Sequence, residues 1–423
     1  MSTDKAIGAV SPFELVTIRL PVAWTFAGLI AGMLLGVVMG GQQITDALLT
    51  ITSPIGSLWL RALQMTIIPL VAALLVLGIA QMASAARAGA AARRMLLLMA
   101  AVLVGGGIAS AIFMPMLVEL FPIPDAAQGF LADVPDGAQT VPGIGDFVTS
   151  LIAPNVIAAA AETAMLPLTI FFAMFAVAIT RLPQEQKDRL LGLFHALANA
   201  MLMIIGWVLW LAPIGVFALA FGVGVRSGGG AFAALAHYIL LVSAMGLLVL
   251  LAGYLIGWIG GRISPLRFGK ALLPAQAVAL STQSSLASLP AMLDSSNRLG
   301  LRQSSSEFVL PLAVAIFRAT SPAMNMAVAI YVALLAGIEL TPALIAAGIG
   351  VALIISVGSV SLPGTISFVI SIGPIALAMG VPIEPLALLV AVEMLPDIMR
   401  TLSNVTMNVA VTSTVDRVQS KPT

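Results

Sequence analysis

Long uncharged stretches alternate with short charged turns along the first part of the chain. A charge at the centre of a bilayer costs about 2.5–3.5 kcal/mol, and roughly 20 apolar residues suffice to cross it. Each uncharged stretch of about that length therefore predicts one membrane-spanning helix. Six such stretches precede Arg262, at residues 20–45, 62–86, 95–118, 163–180, 190–225 and 227–261.

Two apolar segments in the second half of the chain are interrupted by polar residues. Paired interruptions of this kind indicate a transporter binding site, because irregular backbone at membrane depth must face a polar chamber. The alternative is that each Ser or Thr bonds back to a carbonyl of its own helix, which two matching clusters make less favoured than one. The first segment, 271–293, carries Ser281, Thr282, Gln283, Ser284, Ser285 and Ser288. The second, 340–383, carries Ser356, Gly358, Ser359, Ser361, Pro363, Gly364 and Thr365.

After the second interrupted segment, polar residues recur at spacings of four, three, four and four: Glu393, Asp397, Arg400, Asn404 and Asn408. This spacing places them on one face of a helix. Charged groups in membrane helices rarely face lipid, so we expect this face to look onto the two interrupted segments. Arg318, in the preceding apolar span, is a further functional candidate. For both features, a structural ion pair between helices is the alternative.

Composition and charge exclude several classes of protein. The 423 residues are 60% apolar and only 9% charged, with a mean hydropathy of +1.10, which excludes a soluble domain. With no cysteine and only His195 and His237, neither thiol chemistry nor a metal cluster is predicted, so no cofactor is expected. The net charge of +1 offers no basic face for nucleic acid. The chain is therefore predicted to be a polytopic protein of the lipid bilayer.

The distribution of basic residues predicts the topology. Most of the 19 Lys and Arg residues fall in turns on one side; Arg61, Arg318 and Arg400 lie within membrane segments, and Arg226 lies outside. Residues 121–146 carry four Asp and no Lys or Arg, so this loop is also placed outside. The start of the sequence lacks the pattern of a cleaved signal. Both termini are then expected in the cytoplasm, with the chain in a plasma membrane, in bacteria the inner membrane.

These features together resemble the dicarboxylate/amino acid:cation symporter family, which includes prokaryotic aspartate and C4-dicarboxylate transporters and animal excitatory amino-acid transporters. The resemblance covers nearly the whole chain. It implies an all-α polytopic membrane protein with eight transmembrane helices plus two re-entrant helical hairpins, an elevator-type transporter that is usually a homotrimer. Its strongest stretches are LQMTIIPLVAALLVLGIA, LPLTIFFAMFAVAIT, LWLAPIGVFALAF, STQSSLASLP, FVLPLAVAI and the pattern Asp397, Arg400, Thr401 and Asn404.

The resemblance also implies a division into domains. A scaffold would comprise residues 19–82 (TM1–TM2) and 121–228 (extracellular loop and TM4–TM5). A transport domain would comprise residues 83–120 (TM3) and 229–415, the latter with TM6, an inner hairpin at 270–295, TM7, an outer hairpin at 341–374 and TM8. Residues 1–18 and 416–423 would be cytoplasmic ends.

Carried over by position, Arg400 matches the family's arginine that grips the substrate's side-chain carboxylate, and Asp397 the aspartate that holds its amino group. Asn404 matches the asparagine beside the α-carboxylate. Arginine offers a planar fork for a carboxylate and aspartate an acceptor for an ammonium, which agrees with these roles. The remaining expected substrate-binding residues are Thr401, Ser284, Ser285, Ser321, Pro363 and Gly364.

The chain departs from the family at its sodium sites. Gapless counting from Pro290 places the family's Asn-Met-Asp-Gly-Thr motif at residues 317–321, which makes the similar Asn325-Met326 pair a decoy. The sodium-ligating asparagine is then Phe317 and the aspartate Ala319, and Asn408 stands in place of a second carboxylate. Since hard cations need several oxygen ligands, no sodium site, and no other metal site, is expected.

In that register Arg318 stands at the motif's methionine, where it could act as a tethered cation. Together with Arg400 it balances Glu393 and Asp397, so the local charge is zero without an ion. Glu393 and Asn408 complete the expected coupling residues, and protons are the candidate coupling ion, taken up by Glu393 or Asp397.

Two functions follow. The first is a secondary transporter, a symporter-family carrier of small anionic or zwitterionic carboxylates such as acidic amino acids or dicarboxylates, working without sodium as an exchanger, a facilitator or a proton symporter. The second is a transport-incompetent receptor or scaffold that keeps the fold. The presence of Asp397, Arg400 and both polar tips favours the first. No enzyme is expected, because no nucleophile and base stand at a recognisable spacing.

Overall fold

The computed structural model describes residues 21–42, 44–87, 90–131, 149, 151–358 and 364–419, and these are helical with short connections. The first helices are α1 Val22–Met39, α2 Ile44–Gln64, α3 Ile67–Arg87, α4 Ala90–Leu120, α5 Val156–Ala161, α6 Met165–Ile179, α7 Gln184–Trp210, α8 Ala212–Ser227 and α9 Gly230–Ile259, with a 3₁₀ helix at Asp125–Leu131. Then follow α10 Pro265–Thr282, α11 Leu289–Leu299, α12 Gln303–Ile316, α13 Met326–Leu335, α14 Pro342–Gly358, α15 Gly364–Ala378, α16 Glu384–Leu389 and α17 Met394–Gln419.

Several helices are long and apolar enough to cross a membrane. Within the described residues, five helical stretches meet that criterion: Ile44–Arg87, Ala92–Leu120, Gln184–Trp210, Gly230–Ile259 and Gln303–Leu335. Shorter apolar helices are Ala23–Met39, Met165–Ile179, Ala212–Ser227 and Pro342–Val357. The all-helical membrane class predicted from the sequence is thereby confirmed.

The count of uncharged stretches missed one helix boundary and one whole helix. The stretch 190–225 was expected to form one span, but α7 ends at Trp210 and α8 begins at Ala212, with Pro213 in its first turn. Proline lacks the amide donor that would continue the preceding helix, so it starts a new one. Helix α2 was not predicted, because Asp46 near its start and Arg61 near its end leave too short an uncharged run between them.

Glycines on α1 allow its close packing against α8. Gly28, Gly32 and Gly36 recur every fourth residue, and a Cβ at any of them would collide with a carbonyl oxygen of α8. In a membrane, where lipid is as apolar as the side chains, such small residues let two helix backbones approach and gain van der Waals contact. Trp59 of α2 covers Gly215 of α8 and donates its indole N–H to the carbonyl oxygen of Val208, at 2.9 Å.

Helices α9 and α17 pack side by side and run in the same direction along much of their length. Gly246 lies against Met399, and Gly253 lies against Thr406. The Ser403 hydroxyl also donates to the carbonyl oxygen of Gly246, at 2.8 Å. Extending the same register towards the start of α9 places Leu241 level with Met394, the first residue of α17.

The two interrupted segments form helix pairs. Helices α10 and α11 pack together and against α17, and α14 packs against α15. The first pair extends beyond the expected limits 270–295, since it begins at Pro265 and ends at Leu299. The second runs to Ala378 rather than 374, and its tip, residues 359–363, lies outside the described residues. Helix α10 ends at Thr282, and the next residue, Gln283, turns the chain with a φ of +50°.

The segment between the two helix pairs is broken, which the sequence analysis did not predict. Helix α12 ends at Ile316, Phe317 is extended with φ −122° and ψ 110°, and a single π turn, Ser321–Asn325, leads into α13. Pro322 stands in the first turn after the break and has no amide to donate backwards. A second break separates α16 from α17, so Glu393 lies in the turn before α17 rather than on the helix itself.

The expected domain division stays a prediction. Helices α1, α2 and α8 pack together, as do α3, α6 and α7, whereas α9, α10, α12 and α4 surround α17. Helix α14 contacts α3 and α6 of the second group and α4 of the third, so these two groups meet along that helix.

Candidate functional site

Arg400 lies at the centre of a buried polar cluster on α17. Its Nη2 donates to Oε1 of Glu393 at 2.7 Å, its Nη1 donates to Oδ1 of Asn325 at 2.6 Å, and its Nε lies 3.4 Å from Oδ1 of Asp397. None of these four residues is more than 4% exposed. A buried guanidinium persists only with such partners, because an unpaired charge in the membrane is costly.

Helical spacing and the two breaks bring these side chains together. Asp397 is one turn before Arg400, and Glu393 is two turns before it, at the break preceding α17. Asn325 comes from the other break, at the end of the π turn, and its Nδ2 donates to Oγ of Ser321 at 3.0 Å. Sequence reasoning missed Asn325 because it treated the residue only as a chance match to a motif. Its spacing of one turn from Ser321 was the available signal.

Asn404 holds the broken end of the segment before the π turn. Its Oδ1 accepts hydrogen bonds from the backbone N–H and the hydroxyl of Thr320, at 3.0 and 3.1 Å. A backbone amide released by a helix break needs such an acceptor at membrane depth. The predicted stripe residue therefore ties α17 to the break through its side-chain oxygen.

Arg318 lies half-buried in the break and interacts electrostatically with Asp397 and Arg400. The structure thus gathers two cations and two carboxylates, as the sequence analysis expected, with a formal sum of zero. The neighbouring Phe317 and Ala319, 2% and 1% exposed, contribute no side-chain oxygen. Among the described residues, no group of three or more His, Cys, Asp or Glu side chains could hold a metal ion.

Two further predicted residues lie on α17. Thr401, adjacent to Arg400, is 4% exposed. Asn408, two turns further along, is 1% exposed, and neither its Oδ1 nor its Nδ2 has a hydrogen-bond partner within the described part of the chain. Buried amides are nearly always paired, so Asn408 is unusual among the buried amides of the described residues.

The tip of the first helix pair is held by local hydrogen bonds. The Ser281 and Thr282 hydroxyls donate to the carbonyl oxygen of Val278, at 3.1 and 2.7 Å, and the Ser288 hydroxyl donates to that of Ser284, at 2.8 Å. For these residues the alternative of bonding back to the chain's own carbonyls holds. Ser284 and Ser285 are half-buried, and no hydrogen bond recorded for the described residues joins them to Arg400. Gly364 begins α15, and Pro363 lies outside the described residues.

Three aromatic residues beside the cluster escaped sequence reasoning. The Tyr238 hydroxyl is buried, and the Tyr238 and Tyr331 rings meet edge to face with centroids 5.4 Å apart. The His237 ring hydrogen-bonds the Tyr331 hydroxyl, with Nδ1 3.1 Å away, and the carbonyl oxygen of Phe121, with Nε2 2.9 Å away. Hydrophobic periodicity assigns such aromatic residues to the core; the adjacent His-Tyr pair in an apolar helix was the signal.

The cluster around Arg400 can exchange one carboxylate for another. A guanidinium presents several donors in one plane and binds carboxylates in a two-pronged manner. In this structure each of the three guanidinium nitrogens already contacts Asn325, Glu393 or Asp397, so an incoming carboxylate that binds two of these nitrogens would compete with at least one of those side chains.

Known proteins match the chain over nearly its full length. Residues 22–418 match a family model described as the sodium:dicarboxylate symporter family. The chain is 26% identical over 412 residues to the proton/glutamate-aspartate symporter of Escherichia coli (strain K12), covering 92% of this chain and 91% of that protein. It is 28% identical over 400 residues to the proton/sodium-glutamate symport protein of Bacillus subtilis (strain 168), covering 90% and 89%. It is 25% identical over 431 residues to the human neutral amino acid transporter A, covering 91% and 79%.

Proposed function

The chain belongs to the sodium:dicarboxylate symporter family, and we propose that it carries acidic amino acids or dicarboxylates across the membrane without sodium. Its membership makes it a secondary transporter and an integral membrane protein rather than an enzyme. The observation that supports the substrate class is the buried Arg400 guanidinium, which is already bound to a carboxylate of the chain itself. A site that accepts the Glu393 carboxylate has the chemistry to accept that of a substrate.

The absence of sodium coupling is supported by the residues around the first break. In the gapless register, the positions of the family's sodium-ligating asparagine and aspartate are Phe317 and Ala319, which offer no side-chain oxygen. Arg318 stands between them and supplies a permanent positive charge. Asn408 replaces a further carboxylate with a neutral amide, so few hard-cation ligands remain.

Protons are the coupling ion that the cluster supports, with Glu393 as carrier. One Glu393 oxygen binds Arg400, whereas Oε2 is buried and has no hydrogen-bond partner among the described residues. Protonation removes the negative charge that holds Arg400, and a substrate carboxylate can then take its place.

Charge balance would require the proton and the substrate to cross the membrane together. With Glu393 ionised, the empty cluster of Arg318, Arg400, Asp397 and Glu393 is neutral. With Glu393 protonated and an acidic amino acid of net charge −1 bound, the cluster is neutral again. Substrate without the proton, or the proton without substrate, leaves a net charge that is costly to move through the membrane.

We extend the proposal to the mechanism and assembly implied by the family resemblance. The transport domain, residues 83–120 and 229–415, would move like an elevator against a scaffold of residues 19–82 and 121–228, within a homotrimer. The protein would reside in the plasma membrane with both termini in the cytoplasm.

Counterflow in proteoliposomes tests the proposed function. Vesicles loaded with unlabelled aspartate should accumulate labelled aspartate in buffer in which choline replaces sodium. Counterflow needs only binding and alternating access, so it does not depend on the coupling ion. No counterflow for glutamate, aspartate, succinate or malate would support a receptor or scaffold instead.

Glu393→Gln should abolish the pH dependence of substrate binding. In the wild type the apparent affinity should rise as pH falls, by up to about tenfold per pH unit, because binding takes up one proton. Glutamine has no charge to lose, so its affinity should be the same across pH 5 to 8. Binding measured by thermal shift at fixed salt gives both slopes. A wild-type affinity that falls with decreasing pH would contradict the assignment.

Asp397→Ser should discriminate between amino acids and plain dicarboxylates. If Asp397 holds the ammonium group, the variant should lose aspartate and glutamate binding by at least about tenfold, while succinate and malate still bind. Competition against a labelled substrate measures the ratio. The matched control is Asp294→Ser, which removes an exposed carboxylate paired with Arg298 on α11. Equal loss of succinate and aspartate would make Asp397 a structural partner of Arg318.

A further inference from the structure

Polar side chains lead from the edge of the described helices to the buried carboxylate of Glu393. Phe121, just after α4, is 53% exposed, and its carbonyl oxygen contacts the His237 ring. The other ring nitrogen of His237 contacts the Tyr331 hydroxyl, and the Tyr331 ring packs edge to face on Tyr238. By the charge pattern, this end of α9 is on the external side.

The parallel packing of α9 along α17 places Tyr238, the last residue of this polar series, beside Glu393. The contacts of Gly246 with Met399 and of Gly253 with Thr406 bring Tyr238 level with the turn before α17. Consistently, Tyr238 interacts electrostatically with Glu393 and with Arg400.

Two buried polar atoms in this region lack hydrogen-bond partners in the described structure. They are the Tyr238 hydroxyl and Oε2 of Glu393. Leaving a buried polar group unpaired typically costs about 1–3 kcal/mol, so each of these two atoms needs an explanation. The Tyr238 hydroxyl can donate a hydrogen and Oε2 of Glu393 can accept one, which suits a site that takes up and releases a proton.

We propose that His237, Tyr331 and Tyr238 form the proton path that loads Glu393 from the side of the membrane where Phe121 lies. The proposal rests on the proposed function, in which Glu393 carries the coupled proton. It adds the route and the three residues that build it.

The hydrogen bonds define how a proton would pass. The Phe121 carbonyl can only accept, so Nε2 of neutral His237 carries the hydrogen and Nδ1 accepts from the Tyr331 hydroxyl. When His237 is charged, Nδ1 becomes a donor and the Tyr331 hydroxyl must accept. Its own hydrogen is then free to turn towards Tyr238.

Transfer along the path conserves every proton. The Phe121 carbonyl cannot supply a proton, so the half-buried His237 ring is charged by a proton from water that adds at Nδ1, the ring nitrogen without a hydrogen. Nδ1 then gives its proton to the Tyr331 oxygen, and the hydrogen of Tyr331 passes to the Tyr238 oxygen through one bridging water. The Tyr238 hydroxyl and Oε2 of Glu393 are not hydrogen-bonded to each other, so the hydrogen of Tyr238 passes to Oε2 through a second bridging water. Each hydroxyl gains and loses one proton, His237 becomes neutral, and Glu393 becomes neutral and releases Arg400.

Other titratable groups around Glu393 affect whether its carboxyl group is ionised or protonated. They are Arg400 and Asp397 of α17, Arg318 of the first break, Tyr238 of α9, and Tyr331 of α13 with its partner His237. Arg400 favours the ionised carboxylate, whereas Asp397 disfavours it. A substrate carboxylate that takes over Arg400 therefore tips Glu393 towards the protonated form.

Tyr238→Phe should slow proton entry without weakening substrate binding. The variant keeps the ring that packs on Tyr331 and removes only the hydroxyl. Substrate-driven proton uptake, followed with a pH-sensitive dye inside proteoliposomes, should slow at least about tenfold, since a positioned proton donor contributes about 10²–10⁴-fold. Aspartate affinity at fixed pH should be unchanged. Tyr331→Phe and His237→Gln should reproduce the loss, and they carry the test if Tyr238→Phe does not fold.

The chain supplies a matched control. Tyr254 lies on the same helix, its hydroxyl accepts a hydrogen bond from Gln276 at 3.3 Å, and its ring packs on Phe268, away from Glu393. Tyr254→Phe should keep the wild-type rate of proton uptake.

The outcomes separate the path from the function. One outcome would refute the path alone: all three path variants, Tyr238→Phe, Tyr331→Phe and His237→Gln, move protons at the wild-type rate, while Glu393→Gln moves none. Glu393 would then remain the proton carrier. If the wild type shows counterflow but no substrate-driven proton movement, the coupling itself is wrong. If Tyr254→Phe is as slow as Tyr238→Phe, the effect is general to α9 and the path is refuted.

Discussion

Replacing Arg400 by Ala should reduce the affinity for glutamate, aspartate and succinate by at least about 100-fold. Arg400 is 4% exposed, and its guanidinium holds Glu393, Asp397 and Asn325 together. Breaking a buried ion pair costs about 3–5 kcal/mol, and each 1.4 kcal/mol is about a factor of ten in binding. Ligand-induced thermal shift in detergent measures the loss directly.

Two further variants separate binding from folding in that experiment. Arg400→Ala leaves Glu393 and Asp397 facing only Arg318, an imbalance that could unfold the protein. Arg400→Met combined with Glu393→Gln removes one charge of each sign, so the cluster stays neutral while the substrate loses its partner. This double variant should fold and still fail to bind.

The conservative variant completes the series. Arg400→Lys keeps the charge but not the planar fork, so its affinity should lie between those of the wild type and Arg400→Ala. Unchanged affinity for all three ligands in the folded double variant would refute the role of Arg400.

Replacing Arg318 by Met should collapse uptake that, in the wild type, proceeds equally in sodium and in choline. Arg318 is half-buried and interacts with Asp397 and Arg400, so its removal leaves the cluster with a net negative charge. A bound sodium ion near Arg318 would be repelled, because unit charges about 4 Å apart interact by several kcal/mol even at an effective dielectric near 20. Initial rates in proteoliposomes, with and without a pH gradient, measure both effects.

The control for this experiment is Arg318→Lys. Lysine keeps the tethered positive charge, so sodium-independent uptake should survive in it and fail in Arg318→Met. Steep sodium dependence of the wild type, with a Hill coefficient above one, would falsify the tethered-cation proposal. Uptake insensitive to both ion gradients would indicate exchange or facilitated diffusion.

The sequence by itself determined the class of protein and the main candidate residues. Charge-free stretches predict membrane helices because the cost of burying a charge acts locally, residue by residue. The stripe from Asp397 to Asn408 lies on α17 because helical periodicity is also a local property. The polar interruptions predicted both helix pairs, and the matched stretches predicted the family that the comparison confirmed.

Features that depend on pairs of distant residues were decided only by the tertiary structure. The segment between the helix pairs breaks at Phe317 because Asn404, on another helix, can satisfy the amide of Thr320. Asn325 binds Arg400 only because that break turns it towards α17. The split between α7 and α8 at Pro213 escaped a count of charges, since proline interrupts hydrogen bonding without adding charge.

The placement of His237, Tyr238 and Tyr331 shows the same division. In the sequence, the two tyrosines stand on separate apolar segments and match the pattern of ordinary core residues. Their meeting beside Glu393 follows from the parallel packing of α9 along α17 and from the position of α13. Periodicity identifies the buried face of each helix, but which helices meet, and which polar atoms they leave for one another, is settled by packing in three dimensions.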